Sequence, residues 1–212
     1  MLVTWWYTLV SPVVLAAVAK KRDAEVDWAS LRCPEDDLTT LPTPTYGSEG
    51  AVFMVCTELT IDAPAQRIYD TLIDFNNYHV WNSFVVDVEV PSDVHETPED
   101  VYVEMPMVLI TSGLIPLLNT TSDEKVTVLQ DDSSQGYLMN AWVGPATLLG
   151  LPFVPAEHPS ILTDAGDGKT RYLSYETYYG GLGTPLVLTM KAQLQSRFDR
   201  QGLDLKAYVE GL

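Results

Sequence analysis

The stretch IDAPAQRIYDTLIDF, residues 61–75, decides the fold. From Ala51 up to this stretch, apolar and polar residues alternate, which is typical of a strand with one buried face. Within the stretch, Pro64 fits the first turn of a helix. Ile68 and Leu72 then lie on one apolar helical face. The sequence therefore predicts a strand that leads directly into an amphipathic helix.

The residues that follow indicate a sheet. Residues 76–82, NNYHVWN, are expected to form an aromatic-rich turn or a short second helix. Alternation and β-branched residues then predict strands at 84–90, 101–110, 124–130, 136–143, 159–164 and 170–179. Between the last two strands, AGDG at 165–168 is a typical hairpin turn. The proline-rich segment 144–159 is predicted to be a long loop.

A long C-terminal helix is predicted from Thr184 to Glu210, with Pro185 in its first turn. Its apolar face also carries Gly202, although glycine in a helix costs about 1 kcal/mol relative to alanine. Gly202 is therefore expected where another group approaches the backbone closely or where the helix bends. The adjacent Gln201 is expected to be exposed.

This order of elements resembles the START-like helix-grip superfamily, also called SRPBCC. The resemblance rests on residues 61–75 with Tyr78 and Trp81-Asn82, and on the closing helix at 198–210, and it covers residues 51–212. It implies an α+β fold in which an antiparallel sheet grips a long C-terminal helix, with an internal apolar cavity between them. The superfamily includes polyketide cyclase/dehydrase-type proteins, coenzyme-Q-binding proteins and birch-pollen allergens.

Composition excludes several classes of function. The 212 residues contain 12 Lys and Arg against 29 Asp and Glu, a formal net charge of −17. This balance argues against nucleic acid and anionic membrane surfaces as partners. No zinc-finger, P-loop or dinucleotide motif occurs, so neither a metal nor a cofactor is predicted.

Residues 1–50 are assigned to two segments outside the domain. Residues 1–19 carry no charged side chain and are followed by three basic residues, so they are either a secretory signal, a membrane anchor or a structural helix. Membrane contact is expected through residues 1–19 only. Residues 20–50 form a proline-containing arm. The sequon at Asn119 and a bridge between Cys33 and Cys56 would agree with secretion, although two unrelated thiols and a cytoplasmic location remain open.

Candidate site residues are the polar and aromatic groups that an apolar small-molecule cavity uses. They are Tyr78, His79, Trp81, Asn82, Tyr102, Glu104, Asn140, Trp142, Tyr175, Glu176, Tyr178 and, on the last helix, Met190 and Gly202. His79 and Glu104 are the predicted catalytic acid–base pair. The alternatives are a helix-end histidine and a solvated strand face. His158 lies in the predicted loop and is interpreted as a surface residue.

Two functions remain open at this point. The first is a cofactor-independent cyclase, isomerase or dehydratase that folds a polyketide- or terpenoid-like substrate into a reactive shape, with one acid–base pair assisting. The second is a carrier that binds a lipid or other apolar metabolite without changing it. Both predict an apolar small molecule as the partner of this chain.

Overall fold

The computed structural model describes residues 26–144, 147–148 and 151–211. Within them, seven strands form one curled antiparallel sheet in the order β1-β9-β8-β5-β4-β3-β2. These strands are β1 (Ala51–Ile61), β2 (Val85–Glu89), β3 (Pro106–Ile115), β4 (Leu118–Gln130), β5 (Leu138–Val143), β8 (Ala156–Gly166) and β9 (Lys169–Tyr179). A small hairpin, β6 (Thr147–Leu148) and β7 (Leu151–Pro152), lies between β5 and β8.

The helices complete an α+β helix-grip fold, which confirms the predicted fold class. They are α1 (Ala65–Ile73), α2 (Tyr78–Trp81), α3 (Thr184–Leu188) and α4 (Lys191–Glu210). The long helix α4 buries one face against the sheet through Leu194, Phe198, Leu205 and Val209. The strand β1 and the helix α1 begin and end close to the positions that their apolar patterns predict.

Several predicted boundaries are wrong. Residues 101–105 do not form a strand, because Glu104 has a left-handed φ of 75° in a turn. The strand β3 begins at Pro106, where a missing N–H is tolerated. The strand β8 begins at Ala156, so His158 and Pro159 lie inside a strand and not in the predicted loop.

The predicted C-terminal helix is divided in two. It breaks at Thr189 and Met190, between α3 and α4. Pro185 does lie in the first turn of α3. The division places Met190 at a corner between the two helices, where it contributes to the cavity described below.

Residues 26–50 pack against the outer face of the sheet and are not a loose connector. Leu41 is buried there with Met54, Ile161 and Tyr175, forming a second apolar cluster apart from the main core. Trp28, Leu31 and the Cys33–Cys56 disulfide pack against the same cluster. The boundary at Ala51 therefore marks the start of the first strand, but it does not separate two independently packed units.

Polar contacts also hold residues 26–50 on the outer face of the sheet. Arg171 donates to the carbonyl oxygens of Leu31 and Ala29 at 2.8 and 2.7 Å. The buried carboxylate of Glu157 accepts from the backbone N–H and the hydroxyl of Thr45, both at 2.8 Å. The segment 1–19 lies outside the described residues. In the part of the chain that is described, no helix is long and apolar enough to cross a membrane.

Candidate functional site

A cavity of about 450 Å³ lies between the concave face of the sheet and α4. Most of its lining is apolar, which is the usual composition of a small-molecule site. The apolar side chains include Phe84, Leu109, Leu114, Trp142, Val154, Met190, Leu194 and Phe198. The half-exposed side chains of Ile115 and Phe153 also belong to the lining and mark its outer end.

Small residues on the middle strands create space for the cavity. On β4, Glu124 faces it, and on β9, Tyr178 faces it. Between these strands lie Gly144, just after β5, and Ala156 on β8. A Cβ atom at Gly144 would approach the carboxylate of Glu124 to 3.3 Å, so the glycine leaves room for that carboxylate.

Two carboxyl groups, Glu124 and Glu176, face the cavity from β4 and β9, which are separated by two strands. Burial raises the pKa of Glu176 to about 7, although the Tyr178 hydroxyl donates to its Oε2 at 2.7 Å. Burial and repulsion by Glu176 raise the pKa of Glu124 to about 8. Near neutral pH the pair therefore holds about one proton, so it offers both an acid and a base.

His158 lies next to this pair on the concave face. Its Nε2 atom is 2.7 Å from Oγ of Ser174, and its ring packs against Trp142 and Phe198 at centroid distances of 4.5 and 4.8 Å. Burial lowers the pKa of His158 to about 3. The imidazole is therefore neutral at ordinary pH and can donate or accept one hydrogen bond at each ring nitrogen, according to its tautomer.

Two buried amides lack hydrogen-bond partners among the described residues. Gln201 of α4 is only 3% exposed, lines the cavity, and leaves both Oε1 and Nε2 unpaired. Asn140 of β5 is 1% exposed, and both of its amide atoms are also unpaired. Buried amides are nearly always hydrogen-bonded, so we expect a polar group inside the cavity to hydrogen-bond with the side-chain amide of Gln201.

The structure brings four of the predicted site residues to the cavity lining, namely Trp142, Glu176, Tyr178 and Met190. Six others are buried but not part of that lining: Tyr78, Trp81, Asn82, Asn140, Tyr175 and Gly202. The remaining three, His79, Tyr102 and Glu104, are exposed.

The assignment of His79 and Glu104 as a cavity acid–base pair is not supported. His79 points to solvent from α2, because the buried face of this short helix is formed by Tyr78 and Trp81. Glu104 lies in an exposed turn and pairs with Lys125 at 2.6 Å. Tyr102, in the same turn, is 42% exposed. Neither of the predicted catalytic groups lines the cavity.

The buried aromatic and amide candidates have structural roles. Tyr78 donates its hydroxyl hydrogen to the carbonyl oxygen of Leu72 at 2.6 Å, and its ring packs against Trp81. The side-chain oxygen of Asn82 accepts from the backbone N–H groups that begin β2. Tyr175 lies on the outer face and donates to the carbonyl oxygen of Pro42 at 2.6 Å.

Three lining residues that carry the site's chemistry were not among the site residues predicted from sequence: Glu124, His158 and Gln201. Glu176 and Tyr178 lie two residues apart on the same face of β9, so the alternation along this strand predicted both as site residues. Gln201 was wrongly expected to be exposed, since it lies three residues after Phe198 and four before Leu205, on the buried face of α4. His158 was missed because the prolines around it indicated a loop.

These features define a helix-grip protein with an apolar ligand cavity. Residues 54–210 match the family model for polyketide cyclase / dehydrase and lipid transport, and the chain belongs to this family. No curated protein matches the sequence significantly.

Solved structures of low sequence identity share the fold. A hypothetical protein from Helicobacter pylori is 14% identical, with a TM-score of 0.62 over 81% of this chain and 98% of that one. A START superfamily protein from Mycobacterium smegmatis is 14% identical, with a TM-score of 0.51 over 74% and 97%. The di-domain ARO/CYC protein BexL from the BE-7585A biosynthetic pathway is 10% identical, with a TM-score of 0.50 over 74% and 46%. These structures share the helix-grip fold with this chain.

Proposed function

We propose that this protein is a cofactor-independent cyclase, isomerase or dehydratase that acts on a polyketide- or terpenoid-like substrate bound in the cavity. Membership of the polyketide cyclase / dehydrase and lipid-transport family supports a hydrophobic ligand in this position. The observation that carries the catalytic part is the pair Glu124 and Glu176, two carboxyl groups that face one apolar cavity.

The pair is suited to proton transfer because burial raises both pKa values towards neutrality, and repulsion between the two carboxyl groups makes their protons leave in separate steps. The ionised carboxylate removes a proton from a carbon next to a substrate carbonyl, and the protonated carboxyl gives its proton to an oxygen. In a dehydration, that oxygen belongs to a departing hydroxyl, so one water molecule leaves and a double bond forms. The hydrogen bond from Tyr178 fixes the orientation of Glu176, and the apolar walls fold the substrate into a reactive shape.

A carrier function is the alternative, and the neutral state of His158 favours it. A neutral imidazole and the Gln201 amide can orient the polar group of an apolar ligand without any reaction. In that case the two glutamates would serve only as hydrogen-bonding groups.

The deciding experiment begins with mass spectrometry of the ligand that co-purifies with the protein. The ligand is then incubated with wild type and with the Glu176→Gln and Glu124→Gln variants. An enzyme yields a product of equal mass with a new retention time, or of mass reduced by one water. Each variant is expected to lose turnover by about 10²-fold or more.

Glu104→Gln is the matched control, because this carboxyl is exposed and does not line the cavity. It is expected to retain wild-type turnover. If the wild-type protein returns the ligand unchanged, the enzymatic function is rejected and the carrier function remains. Wild-type turnover in both cavity variants would reject the acid–base roles.

A further inference from the structure

The charged side chains that line the cavity are all acidic. Asp123, Glu124 and Glu176 belong to the lining, and among the described lining residues there is no Lys or Arg. No ion pair within the described ranges involves any of these three carboxyl groups. A carboxylate in an apolar cavity is costly when it lacks a counter-ion.

Two basic side chains on elements that line the cavity, β4 and α4, are engaged elsewhere. Lys125 follows Glu124 on β4, but its ammonium contacts Glu104 at 2.6 Å. Arg197 of α4 donates from Nε and Nη2 to the carbonyl oxygen of Gly113 at 3.2 and 3.1 Å. The negative charge of the cavity is therefore not neutralised by these neighbours.

A second and independent observation points to a bound group. Gln201 is 97% buried, lines the same cavity, and has both amide atoms unpaired among the described residues. Its Oε1 atom can accept a hydrogen bond from a donor that enters the cavity, and its Nε2 atom can donate to an acceptor. The cavity thus offers two carboxyl groups and one amide oxygen as acceptors for a ligand donor.

We propose that the cavity selects an apolar ligand that carries a cationic amine, held by Glu124 and Glu176 with Oε1 of Gln201, and that it rejects carboxylates and phosphates. This inference rests on the binding function proposed above, does not depend on the acid–base roles of the two glutamates, and adds the charge class of the ligand. The ammonium pairs with the ionised carboxylate, and its hydrogens are shared with the remaining acceptors. An anionic group would meet the carboxyl groups of Glu124 and Glu176, which burial places in a poorly screened environment.

The test compares three ligands with the same apolar chain, namely decylamine, decanol and decanoate. The affinity of each ligand is measured by displacement of the neutral fluorescent probe N-phenyl-1-naphthylamine from the full chain, at about pH 7 and low salt. Decylamine is expected to bind about tenfold more tightly than decanol, and decanoate about tenfold more weakly than decanol. Glu176→Gln and Glu124→Gln should each weaken decylamine binding about tenfold and change decanol binding less than about twofold. Glu104→Gln should change neither.

The possible results distinguish the selection for a cationic amine from the more general binding of an apolar ligand. If decanol binds and decanoate binds as tightly as decylamine, the charge selection is wrong and the apolar site stands. If the probe binds and none of the three ligands displaces it, both the selection for an amine and the proposed binding of apolar ligands are wrong. The comparison of ligands on the wild-type protein decides the question even if a glutamate variant fails to fold.

Discussion

Gln201 and Gly202 are adjacent in α4, yet they meet different surroundings. The amide of Gln201 lines the cavity, whereas Gly202 lies against Thr57 and Leu59 of β1. A Cβ atom at Gly202 would come within 3.0 Å of Cδ1 of Leu59 and 3.3 Å of Cγ2 of Thr57. The glycine therefore allows the helix to approach the sheet closely. The close approach expected at Gly202 is confirmed, although Gly202 does not line the cavity, and the expectation that Gln201 is exposed is wrong.

Replacing Gly202 should affect stability rather than ligand binding. Gly202→Leu is expected to lower the free energy of unfolding by roughly 1–3 kcal/mol, because the added side chain overpacks the contact between helix and strand. Gly202→Ala is the control and should stay within about 1 kcal/mol of wild type, since better helix propensity offsets a tight Cβ contact. Urea unfolding measures both, and a Leu variant as stable as wild type would contradict the packing argument.

The glutamate pair should make the protein less stable as the pH rises. Burial raises the pKa of Glu176 from 4.5 to about 7, and burial with repulsion raises that of Glu124 from 4.5 to about 8. The folded protein therefore binds more protons than the unfolded chain in this window. The free energy of unfolding should fall with rising pH, by up to about 1.4 kcal/mol per unit for each proton.

Between about pH 6.5 and 8 the unfolded chain still binds part of a proton at His158 near the lower limit. The contribution of Glu176 is therefore measured as the difference in slope between wild type and Glu176→Gln, which share His158. Urea unfolding of Glu176→Gln should give a flatter dependence in that window, and Glu104→Gln should keep the wild-type slope. Equal slopes in wild type and Glu176→Gln would show that Glu176 is ionised in the folded protein throughout.

His158 should produce the opposite dependence at acid pH. Burial lowers its pKa from 6.5 to about 3, so the unfolded chain binds a proton that the folded protein does not. Stability should therefore fall as the pH drops from about 6.5 towards 3, by up to about 1.4 kcal/mol per unit. His158→Gln should reduce this loss, whereas His79→Gln, which removes an exposed histidine, should not. Identical acid unfolding of all three proteins would rule out a buried neutral His158.

The fold was predictable because its deciding signals are local. The strand from Ala51 and the helix with Ile68 and Leu72 each show their period within one short segment. Where prolines interrupt the pattern, the prediction was wrong. Pro159 is inside β8, and the sequence around it resembles a loop although it is paired on both sides.

The site was less predictable because it depends on the curvature of the sheet. Glu124 and Glu176 belong to strands that are distant in sequence, and only the register of the intervening β5 and β8 brings them to one cavity. Glu176 was a candidate from its place beside Tyr178, whereas Glu124 in sequence looks like a solvated strand residue. Trp142 and Tyr178 were found because large aromatic side chains on predicted strands favour the buried face.

The disulfide between Cys33 and Cys56 should contribute to stability by fastening residues 26–50 to the sheet. The two cysteines are separated by 23 residues. Closing a loop of this length is worth about 3 kcal/mol on the chain-entropy model. A Cys33→Ala/Cys56→Ala double variant should lose an amount of that order in urea unfolding, and reduction of the wild-type protein should match it. Unchanged stability in both would show that hydrogen bonds such as those of Arg171 suffice to hold this layer.

The same bridge, with the exposed Asn119 on β4, leads to a prediction about location. We propose that the protein enters the secretory pathway, where disulfides persist and the sequon at Asn119 can be glycosylated. N-terminal sequencing of protein from its natural source should then give a start at Lys20 or Asp23, with a glycan on Asn119 and no reactive thiol. A retained membrane anchor with the basic residues in the cytoplasm predicts a start at Met1, no glycan and two free thiols. That combination would refute secretion, because reduced cysteines and an unmodified sequon are expected on the cytoplasmic side.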